Sequence, residues 1–495
     1  MKFRTVNLAT ILMVALILFQ GKFIMETNAQ DYPPPPEVDT SGFGSRIQRT
    51  MHLLETSTPE KRNKVRILFY GQSITKQKWT DQVADYLRQK YPHADLEIEN
   101  RAIGGFSSQH LVRTAMHDLY PFYPDLMIFH VYGSHHRYED IIASTRYLTA
   151  TEIAITNDHG NRFPKIPEKK PIGPVGKYWD YFMNEEFLPS IAEKYNCEFI
   201  DLRNPWFEYL EANDYEPSTL LRDGVHLNPH GEWLMAELVK PYLRYIPDGK
   251  TDKGLVEEYK VGEDVEWKDG KLTLEIDGNR VDVVPAAADG RTATIMIDGH
   301  KPSEYIGTYA ATLPRNVGNV PWPWTGLKRV TFNAMPMVET WTLKTLSVDE
   351  TGEDVTFEVV GSVTGPDGTG SSKEKFVSDS GRVVIEPEDW NVARNISNSK
   401  KPAPEGYSIT WKIVPYNTDQ YASPEKFDPA REQAVTLAQG IPNEKHTVEI
   451  IAADPANPPA IKILRVYRPP LKELPKVASH VDKWITQKSP GEDID

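Results

Sequence analysis

The chain contains a single cysteine, Cys197, so no disulfide bond can form within it. Its stability must therefore come from the burial of apolar surface, and 495 residues are enough for two or three domains with full cores. Basic residues are also scarce, with 56 Lys and Arg against 70 Asp and Glu and a formal net charge of -14. Because binding to nucleic acid needs a surplus of positive charge, this balance excludes a nucleic-acid partner.

The N-terminus has the composition of a targeting segment. Lys2 and Arg4 precede the apolar run Leu8–Gln20, and Thr27–Ala29 offers small residues after it. This order predicts a cleaved secretory signal peptide over residues 1–29. The alternative is an uncleaved membrane anchor, but the apolar run is short for a membrane span. We therefore expect a secreted or periplasmic protein with no stable membrane insertion after signal cleavage.

The remaining chain divides by pattern into four parts. Residues 30–60 contain four consecutive prolines, which predicts an extended lead-in. Residues 61–248 alternate apolar strand patterns with helical patterns, which predicts an α/β domain with a parallel sheet. Residues 249–470 contain short alternating segments separated by Gly, Asp and Pro turns, which is typical of an all-β sandwich. Residues 471–495 are predicted to form a polar tail with a short helix at Val477–Thr486.

Three residues predict a reaction class before any fold is assumed. Ser73 follows the apolar run V-R-I-L-F-Y-G, and Asp223 and His226 stand in D-G-V-H before a helical stretch that begins at Pro229. A serine hydroxyl needs a nearby base to act as a nucleophile, and His226 can serve as that base. Asp223 can fix the imidazole tautomer and stabilise the imidazolium. We predict Ser73, His226 and Asp223 as the catalytic residues of a hydrolase.

Several predicted strands end in Gly or polar residues, as at Gly71-Gln72-Ser73, Gly104-Gly105, Gly133-Ser134-His135 and Asn157-Asp158-His159. The carboxyl ends of parallel strands share one edge of a sheet, which is where α/β folds bind ligands. From these ends we predict Gln72, His136, Asp158 and His159 as substrate-binding residues. A metal site formed by His135, Asp158 and His159 is an alternative that lacks a tight ligand spacing, so we predict no metal and no cofactor.

The motifs resemble those of the SGNH (GDSL-like) hydrolases over roughly residues 64–245. Gly71-Gln72-Ser73 matches the Gly-Asp-Ser block with Gln72 in place of Asp, and Asp223 with His226 matches the Asp-x-x-His block. The resemblance implies a flavodoxin-like three-layer fold. It also implies an oxyanion hole formed by the amides of Ser73 and Gly105, with His135 where the family has asparagine.

The second half looks like the jelly-roll domains that accompany some carbohydrate esterases. Trp322 and Trp324 lie there in a Pro-rich loop, where they could stack on a sugar or close a core edge or a domain interface.

Two main functions remain open from the sequence. The first is a secreted esterase that removes acetyl or similar acyl groups from a poly- or oligosaccharide through an acyl-enzyme on Ser73. The second is an SGNH-fold glycosidase, lyase or dehydratase that acts on oligosaccharides by His/Asp acid–base chemistry, which the replacements at Gln72 and His135 favour. A glycan-binding protein without catalysis is a third alternative.

Overall fold

The structure is a computed structural model that describes residues 32–164, 178–249 and 254–475. The predicted signal peptide and the predicted helix Val477–Thr486 lie outside the described residues, as does most of the segment 159–176, whose many Pro, Lys and Gly residues predict a long loop. Within the described ranges, no helix is both long enough and apolar enough to cross a membrane.

The first half is built around a five-stranded sheet of strand order β2-β1-β3-β4-β5, in which every neighbouring pair is parallel. This confirms the predicted α/β fold with a parallel sheet. The order is the flavodoxin-like one, in which the connections reverse direction at β1 and leave a crevice outside the carboxyl ends of β1 and β3. The bounds of its elements are α1 Gln48–Glu55, β1 Lys64–Gly71, α2 Trp79–Lys90, β2 Asp95–Asn100, α3 Ser108–Asp118, β3 Leu126–His130, α4 His135–Leu148, β4 Glu152–Thr156, α5 Trp179–Tyr181, a π-helical segment Phe182–Phe187, α6 Leu188–Lys194, β5 Glu198–Ile200, α7 Arg203–Ala212, the 3-10 turns Pro217–Leu220 and Lys240–Tyr242, and α8 Pro229–Val239.

Helices cover both faces of this sheet, which gives three layers. Along β1, Ile67 and Phe69 point into one apolar core together with Trp79. Leu68 and Tyr70 point into a second core on the other face. Because side chains alternate along a strand, a segment that is buried on both faces must be apolar at every position, as Ile67–Tyr70 of β1 is.

One segment corrects the predicted extended lead-in at residues 30–60. Gln48–Glu55 forms helix α1, whose Met51 and Leu54 are buried against the first core. The buried carboxylate of Glu152, on β4, accepts hydrogen bonds from the backbone N–H groups of Arg49 and Thr50, at 2.9 and 2.8 Å. A carboxylate satisfies the unpaired N–H groups of a first helical turn, so a distant residue defines where α1 begins.

The second half is antiparallel β structure, as predicted. It contains a sheet of order β10-β16-β11-β12-β13 with β9 paired to β16, a sheet of order β17-β8-β18-β7-β19-β6 and a two-stranded ribbon of β14 and β15. The two larger sheets have separate apolar cores. The jelly-roll topology and the domain boundaries stay predictions. The bounds are β6 Val256–Lys260, β7 Lys271–Pro285, β8 Thr292–Ile297, the 3-10 turns Pro302–Glu304, Ile306–Thr308 and Pro387–Asp389, β9 Tyr309–Ala311, β10 Arg315–Asn316, β11 Thr340–Val348, β12 Val355–Gly361, β13 Gly365–Ser371, β14 Phe376–Val377, β15 Val384–Ile385, α9 Val392–Ser399, β16 Ser408–Pro415, β17 Gln420–Ala422, β18 Val435–Ala452 and β19 Ile461–Tyr467.

Buried polar contacts connect helix α3 to the second half. Asp389, only 1% exposed, lies 2.6 Å from Arg113 on α3 and 3.0 Å from Arg329. Removing any one member of this buried ion-pair group would destabilise the fold strongly, because the remaining charges would stay buried without a partner.

His117 makes a second buried connection. Its Nδ1 lies 2.7 Å from the carbonyl of Ala311, and its Nε2 accepts the backbone N–H of Val330 at 3.2 Å. A carbonyl only accepts and an N–H only donates, so these partners require the neutral ring with its proton on Nδ1. Burial lowers the pKa of His117 to about 4.

Candidate active site

Ser73 lies in the turn that follows β1, at the carboxyl edge of the sheet. Gly71 ends the strand, and a Cβ atom there would lie 2.0 Å from the carbonyl oxygen of His130 on β3. The chain then turns tightly, with the N–H of Lys76 donating to the carbonyl of Gln72 at 3.1 Å. The close approach of β1 to β3 therefore requires glycine immediately before this turn.

His226 connects Ser73 to Asp223. Its Nε2 lies 2.9 Å from Ser73 Oγ, and its Nδ1 lies 3.0 Å from each carboxylate oxygen of Asp223. Since the carboxylate only accepts, Nδ1 carries the proton and the Nε2 lone pair faces the serine hydroxyl. The structure thus brings all three predicted catalytic residues together in the order nucleophile, base and orienting carboxylate.

The Asp223 carboxylate is held in its ionised form. The backbone N–H of His226 donates to it at 2.9 Å, and that of Val225 donates at 3.3 Å. The His226 N–H, followed by the imidazole of the same residue, lowers the pKa of Asp223 to about 2. The side chains of Asp223 and His226 are 47% and 30% exposed, so both remain accessible to solvent.

A side-chain contact between distant segments holds the His226 loop against the Ser73 turn. The side chain of Gln77 donates to the carbonyl of Leu227 at 2.8 Å and accepts the Leu227 N–H at 3.0 Å. Asn228 caps helix α8 by accepting the N–H groups of His230 and Gly231, which confirms the predicted helix start with Pro229 in the first turn. The loop that carries His226 is therefore fixed to the segment after Ser73 and to the start of α8.

The amides of Ser73 and Gly105 are available at this edge. Neither N–H donates a hydrogen bond to any residue in the described part of the chain. A Cβ atom built on Gly104 would lie 3.9 Å from Ser73 Cβ, so the Gly104–Gly105 turn lies beside the serine. Gly105 has φ +79°, a left-handed conformation that glycine adopts without strain. The geometry suits two of the predicted oxyanion donors.

Two side chains of the second half hold this glycine turn. The indole N–H of Trp324 donates to the carbonyl of Gly104 at 2.7 Å, and Arg394 donates to the carbonyl of Gly105 at 2.5 Å. The Arg394 guanidinium lies 4.0 Å from the centre of the Trp324 ring. Trp324 therefore packs at the interface between the two halves, and Trp322 is buried with its N–H on the carbonyl of Lys401. The tryptophan pair serves packing, one of the two alternatives that the sequence left open.

His135 begins helix α4 and lies among aromatic rings. Its ring centre is 5.2, 5.5 and 5.4 Å from those of Trp179, Phe182 and Phe187. Burial is the first cause that lowers the pKa of His135. None of the His135 contacts found among the described residues is with Ser73, so its role as an oxyanion donor stays a prediction. The His136 ring centre lies 3.7 Å from that of His135 with the two planes tilted by 40°, and the substrate-binding role predicted for His136 stays a prediction.

The structure gathers Asp158 and His159 with a residue that the sequence analysis missed. His130 is the last residue of β3, and its Nε2 lies 3.2 Å from Asp158 Oδ1. His159 Nδ1 lies 3.2 Å from the same oxygen. Burial raises the pKa of Asp158, but the two imidazoles outweigh it and bring the pKa well below its usual range. An ionisable residue inside the apolar run L-M-I-F-H was the available signal for His130.

Gln72 stands half-buried beside Ser73, and its substrate-binding role stays a prediction.

Comparisons with known proteins find similarity only among solved structures. No protein-family model matches the chain, and no curated protein matches it. A two-domain esterase active on acetylated mannans, co-crystallised with mannopentaose, is 12% identical, with a TM-score of 0.33 over 88% of this chain and 99% of that chain. An acetylxylan esterase from Geobacillus stearothermophilus is 19% identical, with a TM-score of 0.31 over 38% of this chain and 97% of that chain. Similarity at these identities and TM-scores does not identify the reaction that this chain catalyses.

Proposed function

We propose that this chain is a serine esterase of the SGNH type that hydrolyses esters through an acyl-enzyme on Ser73. The observation that carries the proposal is the 2.9 Å contact between His226 Nε2 and Ser73 Oγ, with Asp223 on the opposite ring nitrogen. A serine that meets an imidazole of fixed tautomer in this way is activated for attack on a carbonyl.

Each step follows from the geometry. His226 takes the Ser73 proton as Oγ attacks the ester carbonyl, and Asp223 stabilises the imidazolium that forms. The amides of Ser73 and Gly105 donate to the oxyanion of the tetrahedral intermediate. His226 then returns the proton to the leaving alcohol. Water, deprotonated by the same base, attacks the acyl-enzyme, and the carboxylic acid leaves with Ser73 regenerated.

The proposed substrate is an acetyl or similar short acyl ester of a poly- or oligosaccharide. The exposure of Asp223 and His226 supports it, because an open and polar rim accepts a bulky hydrophilic alcohol more readily than a buried apolar channel would. Secretion to the periplasm or the medium is part of the proposal and is supported by the order of basic, apolar and small residues at positions 1–29.

The acid–base alternative, a glycosidase, lyase or dehydratase, receives less support. It needs His or Asp groups that face the substrate, whereas His159 is 5% exposed and its Nε2 is engaged by the carbonyl of Val225 at 2.9 Å. Asp158 lies between two histidine rings.

Hydrolysis of p-nitrophenyl acetate and of acetylated xylo- and manno-oligosaccharides tests the proposal. The mature protein should release acetate from both substrate classes, whereas Ser73→Ala and His226→Ala should lose at least about 10³-fold in kcat. His93→Ala, which alters an exposed histidine outside the site, is the matched control and should keep full activity. Undiminished activity in Ser73→Ala would overturn the proposal. Activity on the aryl ester alone would refute the carbohydrate substrate.

A further inference from the structure

Three side chains that the proposed reaction does not use converge behind the catalytic residues. His130 ends β3, and Asp158 and His159 follow β4, so all three lie at the carboxyl edge of the sheet. One ligand atom of each lies within 4.8 Å of the others. His130 and His159 are 1% and 5% exposed, and the Asp158 side chain is 26% exposed. The cluster is therefore buried on two sides and open on the side of the carboxylate.

The outer nitrogen of His159 has a partner that fixes its proton. His159 Nε2 lies 2.9 Å from the carbonyl oxygen of Val225, which can only accept, so Nε2 carries a hydrogen. In the neutral ring, Nδ1 is then a bare lone pair. It faces Asp158 Oδ1 at 3.2 Å, yet this buried atom makes no hydrogen bond. With the neutral ring two acceptors therefore face each other in the interior, and only a positive charge, either a second proton on His159 or a bound cation, makes the contact favourable.

The outer nitrogen of His130 is placed in the same way. Its Nδ1 lies 3.5 Å from Thr75 Oγ1, and Thr75 donates its own hydrogen to the His130 carbonyl at 2.9 Å. The hydroxyl oxygen is therefore free to accept from Nδ1, which leaves Nε2 as a lone pair toward Asp158. In the other tautomer of His130 the proton is on Nε2 and donates to Asp158. The contact between Asp158 and a neutral His159 would still join two acceptors.

We propose that His130 Nε2, His159 Nδ1 and the Asp158 carboxylate bind a divalent transition-metal ion of the Zn²⁺ class. Two imidazoles and one carboxylate form a common ligand set for such ions, and ligands at about 2.0–2.2 Å from a tetrahedral Zn²⁺ lie about 3.3 Å apart, close to the 3.2 Å contacts here. Histidine ligands usually donate their outer N–H to a carbonyl or another oxygen, as Val225 and Thr75 provide. The open side next to Asp158 leaves a fourth position for water.

The nearby cation does not prevent this binding. Arg203 donates to the backbone carbonyl of Asp158 at 3.3 Å, and its guanidinium is paired with the carboxylate of Asp180. The positive charge of Arg203 is thus already paired, and the carboxylate oxygens of Asp158 remain for the ion.

The site would stabilise the catalytic loops and would not act on the substrate. Its outer contacts reach Val225, which directly precedes His226, and Thr75, which lies in the Ser73 turn. An ion that orders both histidines therefore tightens the two loops that carry the nucleophile and the base. Because an ion that binds only the folded state stabilises it by mass action, the melting temperature should rise with metal concentration.

Zn²⁺ titration of the full mature chain, stripped with EDTA and dialysed, tests the proposal by calorimetry. We expect one equivalent of Zn²⁺ to bind and the Tm to rise. His159→Gln and His130→Gln should each weaken binding by more than about 100-fold, since loss of an outer partner alone costs about 10–100-fold. The double variant His135→Gln/His136→Gln, which removes two neighbouring histidines outside the cluster, is the matched control and should bind as the unaltered protein does.

Ser73→Ala should keep Zn²⁺ binding whether or not the esterase proposal holds, so the two proposals fail independently. If either cluster variant unfolds, Co²⁺ in the unaltered chain replaces it as the test, because tetrahedral nitrogen and oxygen ligands give d–d absorption that is far more intense, and at longer wavelength, than that of hexaaqua Co²⁺. Absence of saturable Zn²⁺ binding, binding that survives in folded His159→Gln, or binding that is lost in the His135/His136 control would each overturn the proposal.

Discussion

The hydrogen bonds from Trp324 and Arg394 to the Gly104–Gly105 turn lead to a quantitative prediction. Trp324→Phe removes the indole N–H that donates to Gly104 but keeps an aromatic ring against the turn. A neutral hydrogen bond contributes about 0.5–1.5 kcal/mol, so its loss should lower kcat by about fivefold if all of that energy positions the Gly105 amide. Arg394→Ala removes a charged hydrogen bond of about 1.5–3 kcal/mol and should lower kcat by about 10–150-fold. The full loss of an oxyanion donor, about 10²–10³-fold, is the upper limit.

The assay is kcat and KM on an acetyl ester, with unfolding midpoints measured beside them. Trp322→Phe is the matched control because Trp322 lies in the same loop but donates to Lys401 within the second half. It should leave kcat unchanged. The reasoning is refuted if Trp324→Phe and Arg394→Ala stay folded and keep kcat within twofold of the unaltered enzyme, or if Trp322→Phe lowers kcat as much.

Three further outcomes are expected. Asp223→Asn should lower kcat by about 10³–10⁴-fold with a smaller effect on KM, and a loss below tenfold would contradict the orienting role. His117 is neutral in the fold with a pKa of about 4, so below about pH 6.5 the unfolded chain takes up the proton first and stability falls as the pH drops toward 4. The free energy of unfolding should therefore fall by about 3 kcal/mol more between pH 7 and pH 4 in the unaltered protein than in His117→Gln, whose side chain keeps a donor and an acceptor. An equal fall in the two proteins would refute this. Asp389→Ala removes the carboxylate that Arg113 and the buried Arg329 share and should cost about 3–5 kcal/mol in urea unfolding, whereas Asp354→Ala at an exposed ion pair should cost at most about 1 kcal/mol.

The sequence predicts the parts of the site that local patterns encode. The apolar run before Ser73 and the helical stretch that begins at Pro229 each depend on neighbouring residues, so strand β1 and helix α8 follow from local sequence patterns alone. Asp223 and His226 are three residues apart, and this spacing already places the carboxylate against the ring.

Contacts between distant segments lie beyond such patterns. Helix α1 has few apolar residues, and its start is fixed by Glu152 from β4, so its own sequence gives only a weak helical signal. The four prolines that precede it favour an extended segment instead. Trp324 reaches Gly104 from the other half of the chain. His130 sits in an apolar strand, and only the fold shows that its ring meets Asp158. Each of these depends on strand order and docking, which no local periodicity specifies.

Covalent labelling of the mature protein with a fluorophosphonate tests the central claim most directly, because the reagent phosphonylates a serine that a neighbouring base activates. We predict a single adduct, located by peptide mass spectrometry on Ser73, that is absent in Ser73→Ala and strongly slowed in His226→Ala. An active esterase that takes up no label, or label that persists in Ser73→Ala, would contradict the assignment of Ser73 as the nucleophile.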